Sequence, residues 1–158
     1  MGIRYYAWAI DDEDLDWMAE FPCACECREP RPERREALRR LDVLVLDKAW
    51  WYFQELFDAM GTVAGRPAGR LVLSHDMMHT VEYEPSYGSV QAAHVAEAAD
   101  DLARVTLDEV RELTARRDRS EQRQFGGLQN FLIEQLESAR RYTERLAERG
   151  LALRYRIG

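Results

Sequence analysis

Apolar residues from Gly2 to Ile10 occupy both sides of a two-residue period. Ile3, Tyr5, Ala7 and Ala9 fall on one side, and Tyr6, Trp8 and Ile10 on the other. A strand that is apolar on both faces belongs inside a sheet. At the far end Leu151, Leu153 and Tyr155 oppose Ala152, Arg154 and Arg156. That alternation predicts a half-buried strand reaching Ile157. Between these ends a helical period takes over. Leu128, Phe131, Leu132, Leu136, Ala139, Tyr142 and Leu146 recur every 3.6 residues, predicting a helix from about Leu128 to Arg149 that Gly150 stops. Trp50, Phe53, Phe57 and Met60 form another stripe. It predicts a helix of about 14 residues with Asp47 as N-cap and Gly61 as terminator. Trp51 lies about 100° from Trp50 on that wheel, so it falls on the flank and is expected to be partly exposed.

The weaker segments fill in the rest. Asp11 or Asp12 can cap a short helix carrying Leu15, Trp17 and Met18. Pro22, Pro30 and Pro32 make Phe21 to Pro32 irregular, and Pro32 can open a helix to about Arg40. Gly61 to Gly69 reads as a loop, and Leu71 to Leu73 as a short strand or turn. His75 to Tyr87 has no clear period. Val95, Ala98, Ala99 and Leu102 mark a helix from about Ala93. Thr106 and Glu109 have capping-box spacing ahead of Leu107, Val110 and Leu113. Asp118 to Gly127 is polar and reads as a loop. No linker or internal repeat interrupts the chain. The expected architecture is one compact α+β domain over residues 1–158. Its small mixed or antiparallel sheet contains the N- and C-terminal strands, and several helices, including the long C-terminal one, pack on it.

Composition narrows the function classes. The chain has 158 residues, 46% hydrophobic and 32% charged, the mix of one globular domain. Its net charge of −7 argues against a general nucleic-acid binder, which needs a basic footprint. No apolar run approaches the roughly 18 residues of a membrane span. Acids arrive at Asp11 before an apolar signal-peptide core develops. Three cysteines, an odd number, suit a reducing compartment. A cytoplasmic location is therefore expected. Only Lys48 among the 22 basic residues is lysine, a bias that genome composition alone can produce.

Several segments in order resemble the YfbM-like family, a bacterial domain of unknown function. Gly2-Ile3-Arg4-Tyr5-Tyr6 is similar to its first strand. Leu46-Asp47-Lys48-Ala49-Trp50 resembles its most distinctive motif, at a helix start. Tyr87-Gly88, followed by Val95 and Leu102, resembles its central segment. The long helix ending at Gly150 and the strand ending in Ile157-Gly158 complete the likeness. The resemblance implies a compact α+β fold and no established activity. Residues 23–27 and 75–79 depart from the family pattern.

Four groups of residues could carry chemistry. His75 and His79 have the i, i+4 spacing of helical zinc ligands, with Asp76 between them where H-E-x-x-H sites carry Glu. Cys23, Cys25 and Cys27 could bind metal, although C-x-C-x-C is not the usual zinc spacing. The acids from Asp11 to Asp16 lack the spacing of a calcium loop. Asp47, Lys48 and Trp51, with Tyr87, are the candidate ligand- or partner-binding residues. A structural account competes there: Asp47 caps, Lys48 pairs with an acid and Trp50 fills the core. No nucleophile elbow, phosphate loop or dinucleotide fingerprint is present. The expectation is a non-enzymatic interaction module, an immunity-like protein being one form of it, whose protein partner presents a basic surface. It needs no cofactor, no nucleic acid and no membrane. The alternative is a divalent-metal protein or enzyme using the histidines or cysteines. A homodimer is compatible with both.

Overall fold

The computed structural model describes residues 4–15, 43–60, 63–73 and 86–158, and the structural statements below concern these. Strand β1 spans Tyr5–Ile10 and β2 spans Leu44–Asp47, followed by helix α1, Ala49–Leu56. Two short strands, β3 (Ala59–Met60) and β4 (Val63–Ala64), pair with each other and lead to a 3-10 turn, Pro67–Leu71. Strand β5 (Ser86–Val90) precedes α2 (Ala92–Arg104), α3 (Leu107–Ala115) and the short α4 (Arg119–Arg123). A second 3-10 turn, Gln124–Gly126, enters the long helix α5 (Leu128–Glu148), and β6 (Ala152–Ile157) follows.

The main sheet has the order β2-β1-β6-β5, and each neighbouring pair is antiparallel. Tyr5 pairs with Ile157 and Ile10 with Ala152, so the first and sixth strands form the sheet's centre. This is the α+β arrangement that the two strand patterns predict. One face carries Tyr5, Ala7, Leu46, Leu153, Tyr155 and Ile157, all buried. Helices α2 and α5 cover it with Val95, Ala98, Leu102, Leu132, Leu136 and Tyr142 in the same core. Each large apolar side chain buried there is worth roughly 1.5–3 kcal/mol before entropy is charged. On the other face, Leu15 packs with Ile10 and Ala152.

Tyr155 organises the inner face. Its ring stacks on Tyr5 at 5.4 Å and 18°. Its hydroxyl donates to the Leu73 carbonyl at 2.6 Å. The ring passes over Gly88, its cross-strand partner, where an added Cβ would lie 2.1 Å from Tyr155 Cζ. Glycine is therefore required by close approach rather than by backbone angle. Burial pushes the hydroxyl pKa values of Tyr5 and Tyr155 upward.

Helix ends use both local and distant caps. Thr106 and Glu109 form the expected capping box on α3. Gly150 ends α5 at φ 62°, and the Leu151 N–H donates back to the Leu146 carbonyl at 3.0 Å. The first N–H of α2, at Ala92, donates to Asp12 Oδ1 at 2.8 Å, a cap from 80 residues earlier. Residues 12–15 are helical, with Asp14 and Leu15 donating to the Asp11 carbonyl. Arg140 covers the other end of α2, donating from Nε to the Leu102 carbonyl at 2.9 Å and from Nη2 to that of Val105.

A partly buried ionic network fixes the 3-10 turn to the helices. Arg66 forks onto Asp101 with bonds of 2.8 and 2.9 Å and reaches Glu109 at 3.0 Å. The Ala68 N–H also donates to Asp101, at 2.9 Å. Burial raises the Asp101 pKa, but Arg66 and the Ala68 N–H outweigh it, so the carboxyl is held below its ordinary value. Glu109 is lowered too, first by the Thr106 backbone N–H.

Several expectations are corrected. Asp47 does not cap α1: it ends β2 opposite Tyr5, and Lys48 holds the cap position with no side-chain bond. The helix stops at Leu56, not Met60, because Asp58 adopts φ 50° and the chain turns into β3. Phe57 stays buried although it lies past the helix. The stretch read as loop at 118–127 contains α4. Arg154, expected on an open face, is only 5% exposed, because β6 is a central strand and the Tyr87 ring lies 5.4 Å from the guanidinium. Trp17, Met18, Gly61 and the helix predicted to start at Pro32 lie outside the described residues.

Candidate functional site

The junction between β2 and α1 presents Asp47, Lys48 and Trp51. Asp47 has φ 44°, a left-handed angle that costs a non-glycine residue about 1–2 kcal/mol. Its carboxylate lies 3.5 Å from Arg4 Nε, an exposed pair worth little. Among the described residues no carboxylate pairs with Lys48, contrary to expectation. Its Nζ lies instead 5.8 Å from the centroid of the Phe125 ring. Trp51 is 48% exposed and meets the buried Trp50 edge-on at 5.7 Å. This is the flank of the stripe that its 100° offset from Trp50 implies.

Phe125 was not singled out by the sequence. It sits at φ 60°, ψ 23° between α4 and α5, is 39% exposed, and stacks on Phe131 at 4.4 Å and 17°. Gly126 and Gly127 follow at φ 76° and 126°. Three non-glycine residues have positive φ among those described: Asp47, Asp58 and Phe125. Two of the three therefore flank Lys48. A phenylalanine followed by two glycines in a polar stretch was the available signal, but it has no period and so no pattern search finds it. Beside this turn an open groove of about 670 Å³ is lined by Arg111, Thr114, Gln122, Gly127 and Asn130, among others.

One turn further along α1 the surface is ionic. Arg117 pairs with Glu55 and lies 5.3 Å from the Tyr52 ring centroid. Burial, then Glu121, pushes the Tyr52 hydroxyl pKa up against the opposing pull of Arg117. The carboxylates there are engaged: Glu55 by Arg117, and Glu109 by Thr106 and Arg66.

Asp47, Lys48 and Trp51 are thus grouped, and Phe125 and Phe131 join them. Tyr87 does not. It lies on β5, at the sheet edge opposite β2, beneath Arg154. His75, Asp76, His79, Cys23, Cys25 and Cys27 lie outside the described residues. Among those described, no group of three or more His, Cys, Asp or Glu could hold a metal ion. No described helix is long and apolar enough to cross a membrane.

A four-stranded antiparallel sheet centred on β1 and β6, with a long helix laid across one face, is a YfbM-like fold. No protein-family model and no curated protein matches the sequence. Among solved structures, the fold is similar to that of YfbM from Escherichia coli, a protein of unknown function. The two share 19% identity at a TM-score of 0.61, over 99% of each chain. At that identity the likeness is one of fold.

Proposed function

We propose that this protein is a non-enzymatic interaction module that docks a protein partner through Trp51, Lys48 and Phe125. The observation that carries this reading is the pair of exposed aromatics, Trp51 and Phe125, with Lys48 one helical turn from the first and over the second. Aromatic anchors in a partly open setting are what interfaces use. Backbone strain at Asp47 and Phe125 supports it, since strained residues gather where a surface is held for use. The net charge of −7 favours a partner with a basic surface, steered by the field of the whole molecule. An inhibitor of a basic protein, as in immunity, is one form this takes. The odd cysteine count supports a reducing, cytoplasmic setting for it.

The test uses Trp51→Ala and Phe125→Gly in pull-downs of the full chain, with Val63→Ala as an exposed apolar control. Phe125→Gly removes the ring stack but relieves the left-handed strain, so stability stays within about 1 kcal/mol of wild type. Partner retention should fall for the two site variants and hold for the control. Retention equal to wild type in both, with the fold intact, would sink the proposal.

A further inference from the structure

The two edges of the sheet are built differently. β2 and β5 are its outer strands, so each keeps one backbone edge that no neighbouring strand occupies. Apart from the ladder to β1, no backbone hydrogen bond of residues 43–46 is found among the described residues. On β5, Gly88 and the exposed Ser89 leave little apolar surface, and Tyr87 is half-buried against Arg154. β2 reads Leu44-Val45-Leu46-Asp47, with Val43 just before it. Leu44 and Leu46 are buried in the core, whereas Val45 is 42% exposed and Val43 54%. Edge strands usually avoid new partners by placing a lysine, a proline or an inward charge along the edge, and residues 43–46 hold none of these. The register shift against β1 falls at the Asp47 end, so Leu44 and Val45 keep regular strand geometry.

We infer that the partner docks by strand addition: an extended segment of a basic protein, apolar at alternate positions, pairs with the open edge of β2 and covers Val43 and Val45. The inference rests on the docking function proposed above and supplies its mode. Main-chain bonds along the edge hold the segment, and its alternate side chains meet the two valines. The edge runs directly into the aromatic surface, since Lys48 follows the last residue of β2 and Trp51 stands in the first turn of α1. Charge selects the occupant. A second copy of this chain brings another −7 and is repelled, whereas a basic segment is drawn in. A four-residue strand pairs only a short segment, far less than the roughly 800 Å² per partner of a standard interface, so Trp51 and Phe125 are needed beside it.

Amide hydrogen exchange on the full chain tests this, with the peptide Lys-Val-Lys-Val-Lys-Val as probe and Glu-Val-Glu-Val-Glu-Val as its charge control. With the basic peptide at roughly ten-fold excess over its Kd, the outward-facing amides of residues 43–46 should exchange about ten-fold more slowly. The acidic peptide should give no such protection. Val45→Lys puts a charge on the edge and should abolish the protection, while Val63→Lys, on an exposed residue of β4, should keep it. Val43→Lys replaces Val45→Lys if urea denaturation shows the latter unfolded. No protection at millimolar basic peptide, equal protection by both peptides, protection of β5 instead, or protection that survives the lysine on the edge would each overturn the inference. Protection that grows with protein concentration in the absence of peptide would assign the edge to a second copy and overturn it too. The docking function fails separately: if Trp51→Ala and Phe125→Gly retain the partner, that reading is lost, and strand addition is decided by the exchange data alone.

Discussion

Replacing Asp101 with alanine tests the account of how the 3-10 turn is held. The carboxylate accepts three bonds of 2.8–2.9 Å, two from the Arg66 fork and one from the Ala68 N–H. Its side chain is 12% exposed and that of Arg66 is 26% exposed. Truncation orphans the buried Ala68 N–H, which costs about 1–3 kcal/mol. It also strips Arg66 of its bidentate partner. A fully buried charge so stranded would cost about 3–5 kcal/mol, but Arg66 keeps Glu109 and reaches solvent, so a further 1 kcal/mol or so is expected. The total is about 3 kcal/mol. For a domain of this size that lowers Tm by roughly 6–12 °C. Urea denaturation gives the free energy, and calorimetry gives the temperature. Asp101→Asn should cost less, because the amide oxygen can still accept from Ala68. A loss below about 1 kcal/mol for Asp101→Ala, or an equal loss for both variants, would refute this account of the network.

Three further outcomes follow from the same structure. The Asp101 and Glu109 carboxyls are held below their ordinary values in the folded state, so their contribution is complete above the unfolded carboxyl pKa of about 4 and is lost as pH falls below it; denaturation between pH 5 and 2 should show wild type losing more stability than Asp101→Asn, and parallel losses would contradict this. Gly88→Ala should destabilise by more than about 2 kcal/mol, because its Cβ meets the packed Tyr155 ring rather than a flexible chain end; retained stability in urea would show that the ring moves aside freely. Thr106→Ala should cost about 1 kcal/mol through the lost capping box, read by the same assay, and no change would mean that solvent replaces the cap fully.

Local regularities made much of the fold legible. The α5 stripe, the capping box at Thr106 and Glu109, and the alternation in β1 and β6 are short-range patterns, and each formed the element read, although β6 is buried on both faces rather than half-buried. Asp47 misled because its residue type suits a cap, whereas pairing with Tyr5 holds it in β2. Met60 kept the helical period by coincidence, since Asp58 turns the chain before it. Arg154 looked solvent-facing because alternation does not say which strand is central. The candidate site was half legible. Trp51 followed from its wheel position, but Phe125 reaches Lys48 only through tertiary folding. The bond from Arg66 to Asp101 likewise spans 35 residues and leaves no local trace.

The central pairing of β1 with β6 has a consequence for biosynthesis. Tyr5 cannot meet Ile157 until the intervening chain has been made, so contact order is high at the middle of the sheet rather than at its rim. A nascent chain that has not yet released β6 leaves one side of β1 with bare amides and carbonyls, and leaves Tyr5 without the ring it stacks on. Such an edge is a template for wrong pairing. Premature termination before β6 therefore removes the sheet's keystone, and shortened products should be substrates for holding chaperones and proteases rather than partly working copies.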